Sequence, residues 1–575
     1  MLSPEINTKV LAWTQAPYNF ETQTVIKQLI AEQRYTELTD AFYQDLEFGT
    51  GGLRGLMGQG TNRMNNYTVG AATQGFANYL NQTFPNEQVK VAIAYDSRNN
   101  SKEFAQLCAD IFSANDIKVH LFSALRPTPL LSFCVRHLAC HAGVVLTASH
   151  NPKEYNGYKA YWNDGSQLVS PHDKNVISEI QKVQVSAIQF TPKTENIHLL
   201  GQEIEHIYYQ TALQYSLSPQ AISEQKDLKI VYTPIHGTGI TLVPDILHKF
   251  GFTNVHLVQS QAEPDGNFPT VAYPNPEEAE AMQLGLNYAK KIDADILLGT
   301  DPDADRVGIA VKNHLGKWQL LNGNQTGVLL LNYLMERGNE LQKWGQNAYI
   351  AKTIVTSELI DEIALHHNIT CFNTLTGFKY IAAIMRQEEN KMTYIGGCEE
   401  SYGYLIGDFV RDKDAILACA LIAEMTAYAK SKGKTAFETL LEIYQKYHLY
   451  HEKLVSITRK GKTGAEEIQA MMKSFRENPP THLAGSEIIE IRDYQLGIIK
   501  NIKTNTTNST GLETSNVLQF ITANGAKVSA RPSGTEPKIK FYFSLATKLT
   551  SIAQYDTEIA LLEQNIQAII KDLAL

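Results

Sequence analysis

Asp301, Asp303 and Asp305 stand at alternate positions in Gly299-Thr300-Asp301-Pro302-Asp303-Ala304-Asp305-Arg306. Three carboxylates this close repel one another unless a cation lies among them, and hard divalent ions accept an all-oxygen shell. A calcium EF-hand is excluded, because the sixth position from Asp301 is Arg306 where glycine is required and the twelfth is Lys312 where glutamate is required. Magnesium fits, since it is held by a few carboxylates together with phosphate oxygens. Arg306, beside such an ion, can offset charge on a phosphoryl group in transit. The competing reading is a solvated acidic turn.

A second segment could supply a nucleophile or a phosphoryl carrier. Residues 143–159 read Gly-Val-Val-Leu-Thr-Ala-Ser-His-Asn-Pro-Lys-Glu-Tyr-Asn-Gly-Tyr-Lys, so a short apolar strand delivers Ser149 to a loop edge. His150 and Lys159 offer proton transfer nearby. A lone loop serine more often satisfies backbone donors than attacks anything. No Gly-x-Ser-x-Gly elbow surrounds it, which disfavours a lipase-like hydrolase. No Gly-x-x-x-x-Gly-Lys-Ser/Thr segment occurs either, which disfavours an ATP-dependent kinase. A phosphoryl group on Ser149 would give the ion a fourth ligand.

Two further loops could hold a sugar phosphate. Gly396-Gly397-Cys398-Glu399-Glu400-Ser401-Tyr402-Gly403 carries two acids and a hydroxyl between glycines. Carboxylates accept paired hydrogen bonds from vicinal sugar hydroxyls, and alternation places Glu399 and Ser401 on one side; a capped turn is the bland alternative. Residues 531–538 combine the guanidinium of Arg531, the hydroxyls of Ser533 and Thr535, Gly534 and the ammonium of Lys538. Such a turn can ring a phosphate with side-chain and backbone donors. Its competitor is a β-turn with incidental charge.

These loops need elements to aim them. The runs 89–94, 228–232 and 294–298 are largely apolar and end abruptly in polar or acidic sequence, as buried parallel strands do. Ligands sit at that edge of an open α/β sheet. Helical patterns over 103–114 and 242–250 follow two of these strands, so repeated βα units are expected to about residue 450. The end of the chain differs: 516–522 and 526–530 read as strands joined at Asn524-Gly525, 539–545 as a third, 503–515 as a loop and 552–573 as a closing amphipathic helix. Domains are expected over 1–205, 206–325, 326–450 and 451–575.

Length alone calls for several cores. Apolar residues make up 43% and charged residues 19%, a soluble globular composition. The six cysteines form no Cys-x-x-Cys pair, which suits a reducing compartment. With no signal-like start and no long apolar run, a cytoplasmic location is expected. A net charge of −9 without a basic cluster argues against nucleic acid or membrane as partner.

Thr147-Ala-Ser-His-Asn-Pro resembles the active-site signature of the α-D-phosphohexomutase family, in its bacterial phosphoglucomutase/phosphomannomutase branch, which is itself similar to phosphopentomutase. The resemblance spans 49–538 with four motifs in family order. It implies that Ser149 is the phosphorylated nucleophile and that the three aspartates hold Mg2+. It implies a sugar-recognition role for Glu399 and Ser401 in the Glu-Glu-Ser form that accompanies gluco-configured substrates. Cys398 departs from the glycine or tyrosine common there. Arg531, Ser533, Gly534, Thr535 and Lys538 would hold the non-reacting phosphate. Phe48-Gly-Thr-Gly-Gly-Leu-Arg-Gly55 is similar to the family's N-terminal stretch, which brings Arg54 to the phosphoryl group. Thr376-Gly377-Phe378-Lys379 and Lys352 resemble substrate-contacting segments, although either lysine reads equally well as solvated. The implied fold is four domains in a heart-shaped arrangement, three mixed α/β and a C-terminal α+β domain with an antiparallel sheet. A hinge at 450–480 would let the last domain close. The implied activity interconverts glucose 1-phosphate and glucose 6-phosphate, with mannose phosphates a further substrate, through glucose 1,6-bisphosphate as intermediate and activator. Phosphopentomutase, glucose 1,6-bisphosphate synthase and a non-catalytic sensor are the alternatives. A sugar phosphate is the expected partner of a monomer or weak homodimer.

Overall fold

In the run 89–95, Val91, Ile93 and Tyr95 join one buried cluster while Ala92 and Ala94 join another, so both faces of the strand are covered and no polar alternation is possible. The computed structural model, which describes residues 2–49, 52–459, 461–533 and 538–575, accordingly places Lys90–Tyr95 inside a six-stranded sheet. Its order is Gly52–Leu56, Tyr155–Trp162, Ala142–Leu146, Lys90–Tyr95, Lys118–Phe122, Ile197–Leu200. The last three pairings are parallel and the first two antiparallel. Helices Asn66–Thr83 and Ser101–Ala114 cover one face, and Thr128–His137 the other.

The second sheet runs Trp318–Leu321, Val307–Lys312, Ile296–Thr300, Ile230–Thr233, Val255–Leu257, and the third Thr370–Thr374, Ala348–Thr353, Thr393–Cys398, Tyr404–Ile406. Both have parallel central pairs and an antiparallel edge. The helix Ala415–Ser431 is apolar nearly all round because it is buried between them. The fourth sheet is antiparallel throughout: Leu449–Thr458, Lys538–Thr547, Lys527–Pro532, Leu518–Thr522, Ser486–Asp493, Ile498–Asn501, Thr506–Ser509. The closing helix is Tyr555–Asp572, packed through Leu562, Ile566 and Ile569.

Several expectations need correction. The border at 205 falls inside the helix Glu203–Leu213, and that at 325 inside Gly323–Glu340, whose capping box starts at Asn322. The 503–515 segment is not all loop, because Thr506–Ser509 pairs with Ile498–Asn501. A hinge at 450–480 is incompatible with the ten-residue ladder that locks Leu449–Thr458 to Lys538–Thr547. The connection ahead of that ladder is Tyr447-His448, where Tyr447 leaves helical geometry with ψ −107°. Residues 4–42 form helices of their own, Pro4–Ala12, Phe20–Ala31 and Tyr35–Phe42, around Trp13. Among the described residues no helix is long and apolar enough to cross a membrane.

Candidate active site

Ala142–Leu146 ends at the sheet edge, and the next turn puts Ser149 in the left-handed region at φ 51°, with 2% of its surface exposed. That conformation costs a non-glycine residue about 1–2 kcal/mol. Two bonds over-determine it. The Ser149 N–H donates to Thr147 Oγ1 at 2.8 Å, and Arg98 Nη2 donates to the Ser149 carbonyl at 2.7 Å. The hydroxyl is thereby aimed out of the loop: Ser149 Oγ donates to Asp301 Oδ2 at 2.7 Å and lies 3.1 Å from His150 Nδ1. Burial first, then Arg306, Arg54 and Lys540, push His150 well below its ordinary pKa, so its imidazole is neutral at pH 7.

Strand Ile296–Thr300 and its antiparallel partner Val307–Lys312 are joined by the acidic turn, whose three aspartates are at most 1% exposed. One oxygen from each lies within 4.8 Å of the others. Asp301 Oδ1 accepts from the N–H groups of Asp305 and Arg306 at 3.2 and 3.0 Å. Lys159 Nζ donates to Asp303 Oδ2 at 2.6 Å and Asp305 Oδ2 at 2.9 Å. Burial would raise the Asp305 pKa, but Lys159, Lys413 and Arg306 outweigh it and hold the acid ionised. Asp301 moves the other way, raised by burial and by Asp303 and Asp305. Asp303 Oδ1 and Asp305 Oδ1 are buried without a hydrogen-bond partner. Orphaned carboxylate oxygens beside a serine-bonded third acid are the donor set a hard divalent cation takes, so the residues fit a metal site.

The loop of Glu399 to Gly403 meets this turn. The bridge between Arg306 and Gly403, with Val307 N–H on the Tyr402 carbonyl at 3.1 Å, stitches the second sheet's loop to the third's. Arg306 Nη1 donates to Glu277 Oε1 at 2.8 Å and to the Ser401 carbonyl at 3.1 Å. The loop leaves its strand at Cys398 and Tyr402 is left-handed, so strand alternation does not govern Glu399 and Ser401. Glu399 is buried; desolvation lifts its pKa to about 7 against the opposing pull of Lys413. A carboxyl raised this way stays neutral until the pH passes about 7. If its ionised form accepts the sugar hydroxyls, KM for the sugar phosphate falls about tenfold from pH 6 to pH 8. Steady-state kinetics with Glu399→Gln as control checks this, since the variant keeps only the substrate's own phosphate ionisation.

Lys413 was missed by sequence reasoning. Its Nζ lies 3.2 Å from Asp305 Oδ2 and 3.0 Å from Asp412 Oδ1. Gly403 must be glycine for it to pass, because a Cβ there would lie 2.2 Å from Lys413 Cδ. The signal was Arg411-Asp412-Lys413-Asp414, a charge run directly ahead of a largely apolar helix. Thr128, another omission, donates its hydroxyl to Asp303 Oδ2 at 2.8 Å and its N–H to the Asp303 carbonyl at 2.9 Å, tying the first domain to the acidic turn.

The remaining expected residues divide. Arg54 reaches the serine loop, Nη1 donating to Asn151 Oδ1 at 3.2 Å. Thr376 and Gly377 precede the helix Phe378–Gln387, with the Thr376 hydroxyl buried and unpartnered. Lys379 lies over the Tyr380 ring at 5.0 Å, and burial lowers its pKa. Arg531 and Lys538 lie on paired strands of the fourth sheet, and the Ser533 N–H closes their turn onto the Lys538 carbonyl at 2.7 Å. Gly534 and Thr535 lie outside the described residues. Lys352 is not solvated: 1% exposed, it pairs with Asp361 at 2.9 Å and donates to Asn373 Oδ1 at 2.6 Å. Lys352→Met is expected to lower stability by about 2 kcal/mol and leave KM for the sugar phosphate within about twofold; denaturant titration and kinetics check both.

Three family models match in chain order: phosphoglucomutase/phosphomannomutase alpha/beta/alpha domain I over residues 45–186, domain II over 207–316 and domain III over 322–447. A phosphoglucomutase from Staphylococcus epidermidis is 39% identical over 529 residues, covering 91% of this chain and 95% of its own. One from Staphylococcus haemolyticus is 37% identical over 536 residues, covering 92% and 95%. Among solved structures, the open form of the Paramecium phosphoprotein pp63/parafusin superposes with a TM-score of 0.68 at 19% identity, covering 92% of this chain and 96% of that one, a likeness of fold. The chain belongs to the α-D-phosphohexomutase family. It is an enzyme of that family's kind, a phosphohexomutase, which isomerises its substrate by phosphoryl transfer.

Proposed function

We propose that the enzyme interconverts glucose 1-phosphate and glucose 6-phosphate, accepting mannose phosphates as well, with Ser149 as phosphoryl carrier and glucose 1,6-bisphosphate as intermediate. The observation that carries this is the 2.7 Å bond from Ser149 Oγ to Asp301, two residues 152 apart in sequence. The glucose assignment rests on the names of relatives at 37–39% identity.

Asp301, Asp303 and Asp305 would hold Mg2+ together with an oxygen of the Ser149 phosphoryl group. When bound, the ion offsets negative charge on the phosphoryl in transit. The protein does the rest. Ser149 presents the phosphoryl group to the free hydroxyl of the bound monophosphate; the P–Oγ bond breaks as a P–O bond to the sugar forms. His150, held neutral 3.1 Å from Oγ, accepts the hydroxyl proton and returns it to Oγ. Lys159, which donates to Asp303 and Asp305, is the other group placed for that proton transfer. Arg306 and Arg54 flank the phosphoryl group. After the bisphosphate turns over, its other phosphoryl returns to Ser149. Glu399 and Ser401 would read the sugar, and the Arg531 turn with Lys538 the distal phosphate. The acidic turn, the serine loop and the sugar loop come from three domains bordered near residues 202, 322 and 448.

The test is a panel of glucose 1-phosphate, mannose 1-phosphate and ribose 1-phosphate, each with and without added glucose 1,6-bisphosphate. Glucose 1-phosphate is expected to have the highest kcat/KM and to respond to the bisphosphate. Faster turnover of ribose 1-phosphate would overturn the assignment.

A further inference from the structure

The left-handed Ser149 is held from below by one side chain that the reaction does not use. Arg98 is buried, and its guanidinium edge is spent on the nucleophile loop: Nη2 donates to the carbonyls of Ser149 and Asn151, and Nη1 to those of Pro152 at 2.8 Å and Tyr155 at 3.1 Å. Asp96 faces its Nε at 3.4 Å and accepts the Arg98 N–H at 2.9 Å. Four carbonyls on one fork leave the loop little freedom to slide.

The same guanidinium lies over the ring of Phe268 of the second domain, 5.0 Å from its centroid. That ring is delivered by a loop pressed tightly on the first domain. A Cβ at Gly266 would lie 2.4 Å from the Asn99 nitrogen, and Asn99 Nδ2 donates to Asn267 Oδ1 at 3.1 Å. The second domain therefore bears on the serine loop in two ways, directly through Asp301 at the hydroxyl and indirectly through Phe268, which lies against the Arg98 that holds the loop's carbonyls.

We propose that Arg98, backed by Phe268, is the positioning element that sets Ser149 against the acidic turn of the neighbouring domain. This rests on Ser149 being the phosphoryl carrier. Arg98 touches neither substrate nor metal; it fixes the distance over which the phosphoryl group is passed. A misplacement of about 1 Å at a reacting atom costs on the order of 100-fold in rate.

Arg98→Lys keeps a charge but loses the fork, and Phe268→Leu removes the backing while leaving the buried charge in place. Each is purified full length, and its melting temperature, kcat and KM for glucose 1-phosphate, Mg2+ affinity by calorimetry, and rate of Ser149 phosphorylation from glucose 1,6-bisphosphate by intact mass are measured. Arg98→Lys is expected to lower kcat and the phosphorylation rate together by about 100-fold, and Phe268→Leu by about tenfold, with KM and Mg2+ affinity within about threefold. A folded Arg98→Lys that phosphorylates Ser149 at the wild-type rate overturns the proposal, as does a loss of Mg2+ affinity that accounts for the loss of kcat. If Arg98→Lys does not fold, Phe268→Leu decides by the same readouts. A wild-type protein that takes up no phosphoryl group removes the carrier reading itself, an outcome distinct from variants that match a phosphorylated wild type.

Discussion

Ser149→Ala is expected to remove mutase activity by a factor on the order of 10^4 to 10^6, the scale on which losing a nucleophile acts, and to take up no phosphoryl group from glucose 1,6-bisphosphate. The fold should survive, because the loop is held by backbone bonds: the Ser149 N–H and carbonyl keep their partners in Thr147 and Arg98 when only Oγ is deleted. Alanine in the left-handed region carries the same backbone cost that serine does. Mass spectrometry of the intact protein and a coupled glucose 6-phosphate assay check the two halves separately. Full activity in this variant would remove the phosphoserine mechanism.

Asp303→Asn has the second largest effect. It keeps the volume of the side chain and its bond from the Thr128 hydroxyl, but it replaces a carboxylate whose Oδ1 is buried without a partner by an amide that is a poor ligand for a hard cation. Activity at fixed Mg2+ is expected to fall by about 10^3-fold, with saturating metal restoring only part of it. Calorimetric Mg2+ titration should show the weakened site directly, and exhaustive chelation of the wild type should reach a similar loss. Unaltered Mg2+ affinity in Asp303→Asn would mean that the acidic turn holds its charge for structural reasons alone. Lys159 makes that alternative concrete, because an ammonium already bridges Asp303 and Asp305.

The serine loop and the acidic turn were legible because each packs its chemistry into a few consecutive residues behind an apolar strand, so that local pattern and function coincide. The parallel strands were legible for the same reason: Val91 and Ile93 bury one face and Ala92 and Ala94 the other, which only a covered strand allows. Thr128 and Arg98 were not legible, and Lys413 showed only as part of a charge run. The role of each comes from a partner far along the chain, as with Thr128 and Asp303, 175 positions apart. Lys352 was misread as solvated for the complementary reason: its partner Asp361 on the following helix takes the charge inward. A hinge was read over 450–480 because the long edge strand Leu449–Thr458 alternates only weakly in burial and does not announce its ten-residue pairing.

Lys159 and Lys413 already rest on the acid oxygens of the turn. A dication arriving there meets resident ammonium groups, and a dianion arriving on Ser149 meets resident carboxylates; each newcomer is poorly received alone and welcomed by the other. On the proposed reading, thermodynamic reciprocity would tie the two occupancies by one factor, so that the phosphorylated protein would bind the ion more tightly by as much as the ion favours the phosphorylated over the free serine at equilibrium. The empty enzyme and the charged one would thus differ in their appetite for metal, and the ion's residence would report which half of the catalytic cycle the molecule is in.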